Sequence, residues 1–184
     1  MSVAAVVLAA GASSRFGSPK QLATIGGETL LERAVRVASY AGCRPVIVVL
    51  GAEANLIRDR TALGDAVVVV NDEWAGGMGG SIRAGVDALG DVEGCVVMTC
   101  DMLAVTSAHL RALMSSCEVT ASSYAGRSGV PAYFPASAFP ELSGLQGDVG
   151  AREMLRSALT VELKNGELDL DTIESLERAR VWFA

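Results

Sequence analysis

The chain has 184 residues, 51% of them hydrophobic and 20% charged, with a formal net charge of −6. That composition excludes a disordered segment, and the length points to one domain with a substantial buried core. The acidic balance argues against a nucleic-acid partner, because phosphate contacts along a nucleic acid need clustered Lys and Arg.

Short β-branched runs alternate with helical patterns. Residues 3–8 form a continuous apolar run before Gly11, the pattern of a fully buried strand. Across 29–42, Leu30, Leu31, Ala34, Val35, Ala38 and Ala41 fall on one helical stripe, with Gly42 as the stop. Pro45 opens a second buried strand over 46–50. Residues 53–63 predict a short helix and 66–70 a third strand. A helix over 79–89 closes at Gly90, a strand over 95–100 ends at Asp101, and a helix over 106–117 starts at Thr106 or Ser107. Further strands are expected over 119–124, 131–134 and 160–163, with Pro131 marking a strand start or edge. Helices are expected over 136–143, 149–158 and 172–182, and a turn at Asn165-Gly166. This alternation implies right-handed crossovers and a mostly parallel sheet with helices on both faces. The expected fold is α/β, a three-layer α/β/α sandwich in one Rossmann-like domain over 1–184, with no linker or repeat.

The apolar start is too short to span a bilayer and lacks a basic flank, so a cytoplasmic protein with no membrane partner is expected. Cys43, Cys95, Cys100 and Cys117 form no C-x-x-C pair and read as buried, reduced thiols. The single histidine, His109, argues against a histidine-based metal centre or a Ser-His triad and reads as exposed on a polar helix face. Trp74, near a glycine-rich loop, could line a pocket and more readily reads as a packing residue, and Trp182 with Phe183 read as anchors of the last helix.

In open parallel sheets, ligands bind beyond the carboxyl ends of the strands. The loop after the first strand reads Leu8-Ala9-Ala10-Gly11-Ala12-Ser13-Ser14-Arg15-Phe16-Gly17-Ser18-Pro19-Lys20. Its small residues let the backbone approach a ligand, successive N–H groups can form an anion-binding nest, and Arg15 and Lys20 supply charge. It carries neither the P-loop pattern Gly-x4-Gly-Lys-Ser/Thr nor the dinucleotide fingerprint Gly-x-Gly-x-x-Gly. Continued by Gln21-Leu22, it resembles the signature of the nucleotidyltransferase superfamily that activates sugars, polyols and cofactors with NTPs. The resemblance implies a sheet of the nucleotide-diphospho-sugar transferase type, with residues up to about 105 binding nucleotide and the remainder binding acceptor. It implies that Leu8, Ala9, Ala10 and Gly11 run along the nucleotide, that Arg15 contacts the triphosphate, and that Lys20 stabilises charge on the α-phosphate.

Three further blocks carry the same resemblance. Asn71-Asp72-Glu73-Trp74-Ala75-Gly76-Gly77-Met78-Gly79-Gly80-Ser81 looks like the base-proximal segment, with Gly80 and Ser81 beside the nucleotide. Its glycines leave room for a planar base, and a hydroxyl near a helix start can bond base edges or phosphate. Ser81 could equally cap that helix. Met98-Thr99-Cys100-Asp101-Met102 places a carboxylate at the end of an apolar strand. By resemblance Asp101 holds Mg²⁺, a hard cation suited to oxygen ligands. Leu103-Ala104 stands where relatives have Pro two residues after this Asp. Leu168-Asp169-Leu170-Asp171-Thr172 resembles the family tail that supplies a second metal carboxylate, here Asp171 with Asp169 behind it. Asp171 and Thr172 could also cap the last helix.

Gly129-Val130-Pro131-Ala132-Tyr133-Phe134 and Gly147-Asp148-Val149-Gly150-Ala151-Arg152 resemble the branch that transfers cytidylyl or guanylyl groups to the molybdenum cofactor. Val130 replaces a common His. Asp148 and Arg152 are then candidate acceptor contacts, and Asp148 could also cap a helix. Within that branch Leu8-Ala9-Ala10-Gly11 resembles the cytidylyl form, and the Ala10 methyl narrows the space for a base. The expectation is CMP transfer from CTP to a phosphorylated pterin, with Mg²⁺ as cofactor, pyrophosphate as product and a molybdoenzyme as transient partner. Alternatives are GTP as donor, a sugar or polyol phosphate as acceptor, or a non-catalytic module that hands a cofactor to an oxidoreductase. Lys20→Ala or Asp101→Ala should abolish transfer with little unfolding.

Overall fold

A computed structural model describes residues 2–147, 151–168, 170 and 172–182. The buried strand β1 (Val3–Ala9) runs into a long loop that closes in a 3-10 turn at Lys20–Leu22. A small hairpin follows, β2 (Thr24–Ile25) and β3 (Glu28–Thr29), paired antiparallel. The helix α1 (Leu30–Ala41) starts at a capping box: the Thr29 hydroxyl accepts the Glu32 N–H, and the Glu32 carboxylate accepts the Thr29 N–H. Gly42 ends it in the left-handed conformation. The chain continues through β4 (Val46–Leu50), α2 (Ala54–Asp59), β5 (Val67–Val70), α3 (Met78–Asp87), β6 (Gly94–Thr99) and α4 (Ser107–Leu113). The remaining elements are β7 (Thr120–Tyr124), β8 (Arg127–Pro135), α5 (Phe139–Ser143), α6 (Arg152–Arg156), β9 (Leu159–Glu162) and α7 (Ile173–Trp182).

The main sheet has seven strands in the order β5-β4-β1-β6-β8-β7-β9. β8 runs antiparallel to both β6 and β7, and every other pairing is parallel. Alternation along β1 separates two cores. Ala5, Val7 and Ala9 meet Leu31, Ala34 and Ala38 of α1 with Leu110 and Leu113 of α4. Ala4, Val6 and Leu8 meet Ile82 and Val86 of α3, Leu142 of α5 and Leu155 of α6. Burying the Val, Leu and Ile side chains among them stabilises the sandwich by about 1.5–3 kcal/mol each. A third, smaller cluster joins Phe16 of the first loop to Ile25, Leu30, Leu103, Leu170 and Leu176. Phe16 thereby pins the loop after β1 beneath the carboxyl ends of the strands.

The three-layer α/β sandwich agrees with the expected fold, and several details differ. β8 starts at Arg127, four residues before Pro131, because residues 127–129 pair with β7 beyond a bulge. The helix expected over 53–63 ends at Asp59, and that expected over 106–117 ends at Leu113. Two residues per strand show no periodicity, so the β2–β3 hairpin left no pattern to read. His109 is buried, not exposed: its Nε2–H donates to the Ser122 hydroxyl at 2.8 Å, which donates to the Pro131 carbonyl at 2.6 Å. Burial lowers its pKa. Cys43, Cys95 and Cys100 are buried as expected, whereas Cys117 is exposed. Among the described residues no helix is long and apolar enough to cross a membrane. The anchoring expected of Trp182 and Phe183 lies outside the described side chains.

Candidate active site

A cleft of about 530 Å³ opens at the carboxyl ends of β1 and β6. Leu8, Ala9, Ala10, Gly11 and Lys20 form one wall. Trp74, Met78 and Ser81 form a second, Asp101 with Cys100 and Met102 lies at the strand end, and Tyr124 with Val130 reaches in from β7 and β8. Four blocks far apart in the chain therefore converge on one space.

The first wall is built by its backbone. Leu8, Ala9 and Ala10 are buried, and the chain then turns with Ser13 at φ 53°, its carbonyl accepting the Phe16 N–H at 2.8 Å. The 3-10 turn at Lys20–Leu22 brings Lys20 back under the loop, where its ammonium forms an ion pair with the Asp101 carboxylate. The two side chains are 21% and 11% exposed, so the pair is largely withdrawn from water. Arg15 is exposed on the outer turn of the loop and is not part of the cleft lining.

The second wall depends on α3. Gly77, at φ 112°, precedes the helix, so Ser81 lies in its first turns and is not the cap. Ser81 is buried, and its hydroxyl accepts from the Asn71 side-chain amide at 3.1 Å, while the Asn71 side-chain oxygen accepts the Glu73 N–H at 3.1 Å. Gly80 sits behind this wall, where an added Cβ would lie 3.6 Å from Asn71 Nδ2. At Gly79 an added Cβ would come within 2.9 Å of the Gly147 carbonyl. That close approach brings Gln146-Gly147 against the start of α3. Asp148 lies outside the described residues. Arg152 is exposed on α6 and does not line the cleft.

The strand end is held by its neighbours. Arg33 donates to the Leu103 and Val105 carbonyls at 2.7 and 3.1 Å, and Leu103 is buried. These contacts set the course of the loop after Asp101, where Leu103-Ala104 stands in place of the Pro that the resemblance leads one to expect. The Leu170 N–H donates to the Asp101 carbonyl at 3.4 Å, so the tail segment reaches the same strand end. Asp169 and Asp171, which flank Leu170 in sequence, lie outside the described residues. Thr172 caps α7 reciprocally with Ser175: each hydroxyl accepts the other residue's N–H, both at 3.2 Å. Among the described residues no three acidic, histidine or cysteine side chains cluster as a metal site. Cys100 lines the cleft, but burial and the neighbouring Asp101 charge push its thiol up to about 12, so it is no nucleophile near neutrality.

Sequence reasoning passed over Gln21, Asn71 and Tyr124. Gln21 and Asn71 stood inside quoted motifs, and a buried polar residue between apolar neighbours was the signal available.

Residues 5–163 match the model of the MobA-like NTP transferase domain. The chain is 35% identical to a nicotine blue oxidoreductase of Paenarthrobacter nicotinovorans, covering 96% of this chain and 95% of that one. It is 34% identical to a probable molybdenum cofactor guanylyltransferase of Opitutus terrae over 62% of this chain and 55% of that one. Its fold superposes on Rv0371c of Mycobacterium tuberculosis, solved in complex with manganese, with a TM-score of 0.79 and 31% identity over 97% of each chain. The cleft lies where the parallel strands give way to the antiparallel β8, and the family model covers most of the sequence: the chain belongs to the MobA-like NTP transferase family and is a nucleotidyltransferase.

Proposed function

We propose that the chain transfers CMP from CTP to a terminal phosphate of a molybdopterin-type cofactor and releases pyrophosphate. The carrying observation is the buried Lys20–Asp101 ion pair at the floor of the cleft. A cation and a carboxylate held together where phosphates would lie are a ready-made exchange site. A triphosphate takes the ammonium, and the carboxylate becomes available to a divalent cation. The acceptor's phosphate oxygen attacks the α-phosphorus, the bond to the bridging oxygen breaks, and pyrophosphate carries away the charge. Lys20 offsets charge on the α-phosphate, Arg15, exposed on the outer turn of the same loop and outside the cleft lining, is the proposed contact to the outer phosphates at the cleft's edge, and the loop from Leu8 to Gly11 holds the nucleotide in line. Ser81, fixed by Asn71, offers its hydroxyl to the base, and Gly80, before it in α3, leaves room beside Asn71. No protein nucleophile is needed.

Asp101 offers the oxygen donor that Mg²⁺ prefers, and the Leu170 contact brings the acidic tail segment to its strand end. Asp101 and Asp171 would hold the ion, which when bound neutralises phosphate charge. The manganese complex of Rv0371c supports a divalent site in a chain of this fold. Asp148 and Arg152 are proposed as acceptor contacts. The close packing of Gly147 on α3 supports the 148 side of that assignment, and exposed Arg152 is the weaker half. The division into a nucleotide half, up to about 105, and an acceptor half follows the same reasoning, as do a cytoplasmic site of action and a molybdoenzyme as recipient.

CTP is favoured over GTP because the buried Ala10 methyl narrows the cleft beside the base. An oxidoreductase reading, prompted by the name of one relative, lacks the Gly-x-Gly-x-x-Gly loop that a dinucleotide would need. The test is pyrophosphate release with each of the four NTPs, with and without molybdopterin, before and after chelation of divalent ions. Release with CTP that requires both the pterin and the metal is expected. A GTP preference overturns the base assignment, turnover with a sugar phosphate overturns the acceptor, and tight CTP binding without release indicates a carrier.

A further inference from the structure

A buried amide lies directly behind the first wall of the cleft. Gln21 is 1% exposed. Its Nε2 donates both hydrogens, to the Ala9 carbonyl at 2.7 Å and to the Gly11 carbonyl at 3.0 Å. Its Oε1 accepts from the Ser13 hydroxyl at 3.3 Å, and that hydroxyl oxygen accepts the Lys20 backbone N–H at 3.1 Å. The orientation of the amide is dictated by these partners, since the reverse would set an oxygen against two carbonyl oxygens. The carbonyl between them, that of Ala10, accepts the Ala52 N–H at 3.0 Å.

Three successive carbonyls are thus turned into the protein. In a planar trans peptide the N–H points opposite to the C=O. The amides paired with the Ala10 and Gly11 carbonyls are those of Gly11 and Ala12. Both residues are exposed, and their N–H groups meet no acceptor among the described residues. We propose that Gln21 is a positioning residue for transfer: through the Gly11 carbonyl it locks the Ala12 amide as a fixed donor to anionic phosphate oxygens, beside the Gly11 amide that Ala52 holds through the Ala10 carbonyl, and it ties this segment, through Ser13, to Lys20. Without it the Gly11–Ala12 peptide is free to rotate and present its carbonyl oxygen to the anion, which repels it, while Ala52 still holds the Ala10 carbonyl. This role rests on the reading of the cleft as a nucleotide site.

Two variants test it. Gln21→Met keeps the length and removes both donors. Gln21→Glu keeps the shape; ionised, it repels both carbonyls, and protonated, it restores one donor. CTP affinity is measured by calorimetry without added metal at about pH 5.5 and about pH 8, and each variant is referred to the wild type at the same pH so that titration of CTP itself cancels. KM and kcat with metal and acceptor follow, and thermal melts report folding. Gln21→Met is expected to weaken CTP binding by about tenfold or more at both pH values. Gln21→Glu should bind most weakly at the higher pH and recover part of the loss at the lower, with thermal melts at the two pH values showing the chain folded in both, so that the change in binding is not a change in folding. If the methionine variant fails to fold, the glutamate variant at the lower pH is the deciding measurement. Binding by both variants within about twofold of wild type at both pH values, or a glutamate defect equal at the two, overturns the role alone. A wild-type chain that binds none of the four NTPs overturns the cleft reading and this role together.

Discussion

The Lys20–Asp101 pair ties the proposed chemistry to stability, and a double-substitution cycle separates the two. Lys20→Met leaves a carboxylate of 11% exposure without its cation. Removing one partner of a fully buried pair costs about 3–5 kcal/mol. Partial access to water at the cleft floor brings the expected loss to about 1–3 kcal/mol. Asp101→Asn should cost less, about 1 kcal/mol, because the flexible lysine stem can carry its ammonium into the open cleft. The double variant, Lys20→Met with Asp101→Asn, leaves no unpaired charge and should be more stable than the sum of the single losses by at least about 1 kcal/mol. Urea unfolding followed by circular dichroism measures these values, and melting points should fall by about 2–4 °C per kcal/mol. All three variants should lose transfer activity. The structure thus changes one expectation: abolishing transfer at Lys20 carries a measurable stability cost. Additive losses, within about 0.5 kcal/mol, would refute the claim that the pair is coupled and buried.

Gly85→Ala would place a methyl 2.3 Å from Val6 Cγ1 and 3.0 Å from Val49 Cγ2. The overpacking, typically about 1–3 kcal/mol, should exceed the gain of about 1 kcal/mol in helix propensity, and denaturant unfolding would show a net loss. His109 has its pKa lowered by burial from the ordinary 6.5. Below about 6.5 the unfolded chain takes up a proton that the native chain resists, so stability should decline as pH falls from there to the native pKa. His109→Gln should flatten that decline, read from melting points across the range; an unchanged slope would show that another group is responsible. Cys117, which is exposed, should react with a thiol reagent on the folded chain, whereas buried Cys43, held at about 11, and Cys95 and Cys100, held at about 12, should react only on unfolding.

The parallel half of the fold was legible because its strands are buried on both faces. Residues 46–50 read as uninterrupted apolar sequence and form β4 over those same residues. The first wall of the cleft, Leu8 to Gly11 with Lys20, was legible as a ligand loop from its place after β1 and its resemblance to the nucleotidyltransferase signature, and the pairing of Lys20 with Asp101 follows from where β1 and β6 end. His109 misled because a polar residue on a helix looks solvent-facing until its partner is known, and Ser122 comes from a strand 13 positions later. Gln21 was hidden for a related reason: its partners are backbone carbonyls, which leave no mark in sequence. Gly80 and Ser81 are adjacent and read alike, yet the helical turn of α3 sends one to the cleft and the other behind it.

The reversed course of β8 has a consequence for what this scaffold can become. Because it runs against β6, its early residues, Val130 among them, arrive beside Asp101 instead of at the far end of the sheet. The two sides of the cleft therefore hang on separate anchorages, one on the β1 loop and Phe16, the other on the hairpin turning at Ala125 and Gly126. Lengthening or recolouring that hairpin alters one side while the other keeps its shape. A scaffold wired in this way can diversify its clientele by editing a single surface turn, and grafting hairpins between relatives is the direct route to exploiting it.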